Sequence, residues 1–201
     1  MAIKFLGIYM KLSKLYFNIS FKEIKSIVLI SMLVCLTVVG RMIFTFIPNI
    51  QPVTTLIIII TLLLGIRFGV AVSVLSIFLS NLVLGMGLWT IPQIIGYLVI
   101  ALITGFIIRP IFNKIPHAIL SMYAAVMGLL YGFILSICQI PIYGMKYFWM
   151  YYVTGILFDI YHAIGNFVFY FILAPCLIPL LYQLLARYFK SDKDIAKIKV
   201  V

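Results

Sequence analysis

The sequence predicts an all-α integral membrane protein, folded as a single bundle of six transmembrane helices with both termini in the cytoplasm. Three observations lead to this prediction. Hydrophobic residues make up 66% of the 201 positions and charged residues only 9%, and the mean hydropathy of +1.27 exceeds what a domain with a solvated surface carries. The apolar stretches are long enough to cross a hydrocarbon core of about 30 Å. The basic residues mark the ends of these stretches.

The first quarter of the chain predicts a membrane-surface segment and two spans. Residues 1–25 alternate lysines with apolar residues, which is typical of an amphipathic segment on the anionic cytoplasmic leaflet. The first span covers about 26–47 and ends before Pro48. The second, from Pro52 to Gly65, is short for a crossing unless the Pro-flanked loop before it dips into the membrane.

The middle of the chain predicts two further spans. A tight turn at 65–69 precedes the third span, at about 68–84, which ends in a glycine-containing turn. The fourth span covers about 92–108 and is expected to stop at Arg109-Pro110, followed by a loop to Pro116.

The last third predicts the remaining two spans. The fifth covers about 117–140 and is followed by an aromatic-rich loop at 141–151. The sixth starts near Tyr152 and is expected to be kinked or broken by Pro175 and Pro179.

The basic residues predict the orientation. With six spans and both termini in the cytoplasm, all of the fifteen basic residues except Arg41 and Lys146 lie inside, as the positive-inside rule requires. Membrane orientation therefore accounts for the net charge of +11, and we expect no nucleic-acid partner. The chain is predicted to be one domain in the cell membrane, with a basic segment at 1–25, a bundle at 26–186 and a basic tail at 187–201.

Polar side chains inside the apolar stretches are the first candidates for a functional site. Arg41, Asn81 and Gln93 lie inside or at the lip of such stretches. An unpaired polar group costs a few kcal/mol there, so each is expected to face protein, water or a ligand. Predicted topology places all three near the outer surface.

The sixth span carries a second polar group. Asp159, His162 and Asn166 follow one another at spacings of three and four residues, which places them on one helix face. Two interpretations stay open. The face either forms a buried Asp-His or Asp-Arg41 pair that orders the helix ends, or it lines an outward cavity.

The sequence contains no catalytic or metal-binding motif that we recognise. GxxxxGK[ST], HExxH and GxSxG are missing, so the chain is not expected to be an enzyme or to hydrolyse ATP. Cys35, Cys138 and Cys176 are widely spaced in apolar runs and are expected to be small core residues within the membrane. We expect no metal and no cofactor.

Several short motifs resemble the substrate-binding S-components of energy-coupling factor (ECF) vitamin transporters over about residues 26–186. The motifs are Gly40-Arg41, Pro48-Asn49-x-Gln51-Pro52-Val53-Thr54, Gly65-x-x-x-Gly69, Ser80-Asn81 and Gly85-x-Gly87-x-Trp89-Thr90-x-x-Gln93. The resemblance implies an S-component-like bundle that captures a vitamin outside and delivers it with a transmembrane coupling subunit and two cytoplasmic ATPases. Ser31 and Cys35 stand where the family has an Ala-x-x-x-Ala docking motif, so they are the expected docking residues.

The expected ligand site combines the polar groups with nearby aromatic residues, under a lid formed by 47–54 and 141–151. Its residues are Arg41, Asn49, Gln51, Asn81, Trp89, Gln93, Tyr147, Trp149, Asp159 and His162. The motifs are most similar to the branch for cobalamin or related corrinoids, with pantothenate, pyridoxine and a queuosine precursor as alternatives. Two other functions stay open: a stand-alone secondary carrier and a structural membrane protein that binds no small ligand.

Overall fold

The computed structural model describes residues 23–188, apart from the side chains of Ile142, Tyr147 and Ala186. All secondary structure in this range is helical, which confirms the all-α prediction. Most of the predicted amphipathic segment 1–25 and most of the basic tail 187–201 lie outside the described residues.

Three helices form the first half of the bundle. Helix α1 covers Ile24–Ile43 and ends short of the predicted boundary. Helix α2 covers Val53–Leu64, and α3 covers Ile66–Leu84. Only Gly65 separates α2 from α3, with φ of 95°, a backbone conformation that favours glycine. The predicted turn at 65–69 is thus a single-residue break.

Helix α4 covers Thr90–Ile103 and continues into further helical turns. A π-helical segment, Thr104–Ile108, and a 3₁₀ segment, Arg109–Lys114, follow without a gap. The expected stop at Arg109-Pro110 and the loop after it are therefore wrong. Pro110 lies in the first turn of the 3₁₀ segment, whose helical φ is close to the value that the proline ring fixes.

The last part of the chain is more helical than expected. Helices α5, α6 and α7 cover His117–Cys138, Ile140–Tyr143 and Met145–Tyr188. The predicted aromatic loop at 141–151 is wrong, because helix is interrupted there only around Gly144, at φ of 81°. No break occurs at Pro175 or Pro179, both of which lie inside α7. Transmembrane helices tolerate such prolines where neighbouring groups satisfy the freed carbonyls.

Five helical segments are long and apolar enough to cross a membrane, and α2 is a shorter apolar helix. All 12 residues of α2 are buried, and it contacts α1, α3, α4, α5 and α7. Large apolar side chains are exposed on the surrounding helices, as expected of surfaces that face lipid. Helix α2 is therefore the centre around which the longer helices pack.

Candidate functional site

The first polar group joins the last turns of α1 and α3 to the first turn of α4. The buried Arg41 guanidinium donates through Nη1 to Ser80 Oγ and, at 2.9 Å, to Asn81 Oδ1. Asn81 Nδ2 donates to Thr90 Oγ1 at 3.0 Å and to Gln93 Oε1 at 2.8 Å. Because a guanidinium only donates, it determines that the Asn81 oxygen faces Arg41 and the nitrogen faces α4. The structure thus brings three predicted site residues into one network.

The second polar group joins α7 to the chain before α2. His162 Nδ1 lies 2.7 Å from the Asn49 carbonyl oxygen, and its Nε2 lies 3.1 Å from Thr54 Oγ1. The neutral imidazole that carries its proton on Nδ1 satisfies both contacts, with Thr54 as donor to Nε2. Asn49 also donates through Nδ2 to the Phe158 carbonyl at 3.3 Å. The predicted lid segment 47–54 therefore packs against the middle of α7.

Two tyrosines connect these groups. The ring centroids of Tyr97 and Tyr131 lie 4.5 Å apart, and those of Tyr131 and His162 lie 5.2 Å apart. The Tyr97 hydroxyl lies beside the Thr54 and Tyr131 hydroxyls and within the electrostatic field of Arg41. Tyr131 lies within the fields of both Arg41 and Asp159. We name the combined set the polar centre: Arg41, Thr54, Ser80, Asn81, Thr90, Gln93, Tyr97, Tyr131, Asp159 and His162.

Tyr97 and Tyr131 are absent from the sequence-based site. Their position in the sequence could have identified them. Both lie inside apolar helices, α4 and α5, whereas tyrosines of an interfacial aromatic belt lie at the ends of membrane spans. A buried phenol needs a partner for its hydroxyl in such a setting. Mid-span tyrosines therefore belong among the candidates for a membrane site.

Asp159, His162 and Asn166 share a buried face of α7, as their spacing predicts. The Asp-His or Asp-Arg41 pair, one of the two interpretations left open, is not found: Arg41 and His162 bond other groups, and Asp159 makes no ion pair within residues 23–188. The Asp159 carboxylate packs instead against Gly132 of α5, where a Cβ would lie only 1.9 Å from Oδ1. The buried Asn166 side-chain amide has no hydrogen-bond partner among the described residues.

Other predicted residues lie at the edge of this arrangement. Trp89 is 51% exposed, and its ring lies over Gly87, so close that a Cβ there would clash at 2.3 Å. Gln51 is half-buried. Trp149 is 68% exposed and contacts Phe148, at 5.2 Å between ring centroids. The structure does not describe the Tyr147 side chain. None of these observations places an aromatic cover directly over the polar centre.

The expected docking residues lie on a different surface. Ser31 and Cys35 are exposed on α1 and line an apolar groove of about 430 Å³ between α1 and α3. The other lining residues are Val34, Val38, Leu75, Leu79, Leu82 and Val83. Because these two side chains are small, another helix could approach the backbone of α1 closely on the outside of the bundle.

A family model described as "ECF transporter, substrate-specific component" matches residues 25–174. This match includes α1 to α6 and most of α7, and it contains every residue of the polar centre. Comparison with curated proteins and with solved structures found no match.

Proposed function

The chain belongs to the substrate-specific components of ECF transporters, and from this premise we propose that it captures a vitamin or vitamin precursor at the polar centre. The family is one of transporters rather than enzymes, and it implies a small-molecule substrate, a coupling subunit and ATPase subunits. We further propose that this chain binds its ligand from outside the cell membrane, with both termini in the cytoplasm, and delivers it inward with a coupling subunit and two ATPases.

The observation that supports a ligand site is the concentration of polar groups at one place in an apolar bundle. Arg41, Asn81 and His162 are each at least nine-tenths buried and come from three different helices. Burying such groups is costly in a membrane, where no water pairs with them. A few oriented polar groups among aromatic rings are the usual form of a small-molecule site.

The sequence motifs rank candidate substrates for this site. Their similarity to the corrinoid branch makes cobalamin the first candidate to test. Pantothenate, pyridoxine and a queuosine precursor are the other candidates.

Native mass spectrometry of the protein purified in mild detergent from rich medium tests this function. We expect a retained small molecule whose mass identifies the substrate. We also expect uptake of that compound in vesicles only when the coupling subunit, the ATPases and ATP are supplied. Uptake by this chain alone, unaffected by ATP depletion, would show a secondary carrier. Absence of both a bound compound and uptake would show a structural protein.

A further inference from the structure

Arg41, the cation of the polar centre, is held in position by hydrogen bonds but has no ion-pair partner among the described residues. Only Nη1 of Arg41 makes hydrogen bonds, to Ser80 and Asn81, which are both uncharged. Its Nε and Nη2 make no hydrogen bond within residues 23–188. The nearby acid, Asp159, forms no ion pair with it. A guanidinium that is largely buried in an apolar bundle without a counter-ion is costly. Its two remaining nitrogens form the fork that binds two oxygens of one anion.

The first turn of α2 adds positive potential at the same place. Helix α2 begins at Val53, and its first turn has no side-chain cap. It lies beside the last turn of α1, since a Cβ on Gly40 would lie 3.0 Å from the Pro52 ring. The N-terminus of a helix carries a partial positive charge and favours an anion. This helix is completely buried, so water screens that charge little.

Tyr97 supplies an independent sign of a missing acceptor. Its side chain is 1% exposed, and its hydroxyl lies near the Thr54 and Tyr131 hydroxyls without forming a well-aligned hydrogen bond to any described residue. The hydroxyl lies beside Thr54, the second residue of α2, and within the field of Arg41. A buried hydroxyl without an acceptor is costly, and an anionic oxygen between Arg41 and α2 would supply one.

We propose that the ligand presents a carboxylate or phosphate to Arg41, Tyr97 and the N-terminus of α2, so that the substrate is a small organic anion. This inference rests on the proposed function and names the substrate class of the same site. It changes the order of candidates, since pantothenate carries a carboxylate, whereas pyridoxine is neutral and cobalamin presents mainly amides. On the α7 side, Asp159 and the Asn166 amide are available for hydroxyl or amide groups of the ligand.

Paired probes that differ only in charge test the class. We would measure binding of pantothenate and pantothenol, nicotinate and nicotinamide, biotin and its amide, and neutral cobalamin and pyridoxine. At least one acid is expected to bind roughly 30-fold more tightly than its neutral partner, as for loss of one member of a buried charge pair. Arg41→Gln should abolish this preference, whereas Arg67→Gln, which removes an exposed cation beyond the polar centre, should keep it.

A second variant covers the case in which Arg41→Gln fails to fold. Tyr97→Phe removes one oxygen, and we expect it to weaken binding of the preferred acid by about 10-fold. Tyr161→Phe, on the exposed side of α7, is the matched control and should bind as the unmodified protein does. Unchanged affinity of the acid in Tyr97→Phe would contradict the inference.

The outcomes separate this inference from the proposed function. If the compound retained from rich medium is neutral or cationic, or if a neutral probe binds as tightly as its acid, the anion site is wrong while the transport function stands. If no compound is retained and no probe binds, both are wrong. A retained acid that is lost in Arg41→Gln but kept in Arg67→Gln supports both.

Discussion

Asn81 is the residue on which the polar network depends most directly. Its amide oxygen accepts from Arg41, and its amide nitrogen donates to Thr90 and Gln93, so that one side chain joins α1, α3 and α4. No other amino acid of similar size provides an acceptor on one side and two donors on the other. An asparagine at this position therefore serves both the stability of the helix ends and the orientation of the guanidinium.

Replacing Asn81 by alanine tests this role. We expect Asn81→Ala to lower the free energy of unfolding by about 2–4 kcal/mol, because three hydrogen bonds are lost and a buried cation loses a partner. Chemical unfolding in detergent, followed by tryptophan fluorescence, measures the change. Ser31→Ala is the control, since among the described residues that hydroxyl bonds only to its own helix, at the Ile27 carbonyl. Equal stability of the two variants would refute the role.

At the scale of elements, the short helix α2 explains how the site is built. The sequence shows an apolar run too short for a comfortable crossing, and the structure buries it completely inside the bundle. Its C-terminal end is capped by Arg109, whose Nε donates to the Leu62 carbonyl at 3.1 Å. A helix that faces no lipid does not need to match the thickness of the membrane. It can begin inside the bundle, beside Tyr97 and His162.

The close approach of α2 and α3 depends on Gly69. A Cβ at this position would lie 2.0 Å from Thr61 Oγ1, which itself bonds to the Ile57 carbonyl of α2. We expect Gly69→Ala to lower the thermal midpoint by several degrees, since a packed helix pair must separate, at a cost of about 1–3 kcal/mol. Differential scanning fluorimetry measures this midpoint.

Two further variants make the Gly69 result specific. Gly155→Ala, in α7, brings the added methyl group within 4 Å of no other described part of the chain and should leave the midpoint equal or slightly higher. The double variant Gly69→Ala, Thr61→Ala removes the atom that clashes and should recover most of the loss. If the double variant is no more stable than Gly69→Ala, the clash with Thr61 is not the cause.

At the scale of the whole molecule, the proposed ligand site and the proposed docking groove lie on separate surfaces. The polar centre lies where α1 to α5 and α7 converge, whereas Ser31 and Cys35 line a groove on the outside of α1 and α3. Small residues let another helix approach closely in a membrane. We therefore propose that this groove receives a helix of the coupling subunit.

Filling the groove tests that separation. Cys35→Trp should reduce recovery of the coupling subunit in co-purification by at least about 10-fold, as expected for a blocked central contact of an interface. Ligand affinity should stay unchanged, because Cys35 is not part of the polar centre. Cys176→Trp is the matched control, since that cysteine is also exposed but lies on α7. Loss of ligand binding in Cys35→Trp, or equal loss of coupling subunit in both variants, would contradict the proposal.

The sequence by itself determined the class of protein, the order of the apolar segments, and half of the residues that the structure brings together in the polar centre. These features follow from local properties. Hydropathy decides which segments enter lipid, and the cost of burying Arg41, Asn81 or His162 makes each a candidate site residue whatever its orientation. The family match over residues 25–174 agrees with the motifs in those segments. The cytoplasmic location of both termini remains a prediction from charge alone.

Only the tertiary structure decided which polar groups meet and where helices continue. Asp159 could pair with Arg41 or His162 by charge and spacing, yet Arg41 bonds to α3, and His162 bonds to α2 and to the segment before it. Prolines predicted breaks that do not occur, since packing and helix position override local propensity. Tyr97 and Tyr131 enter the site through contacts between α4, α5 and α7, which no local pattern encodes.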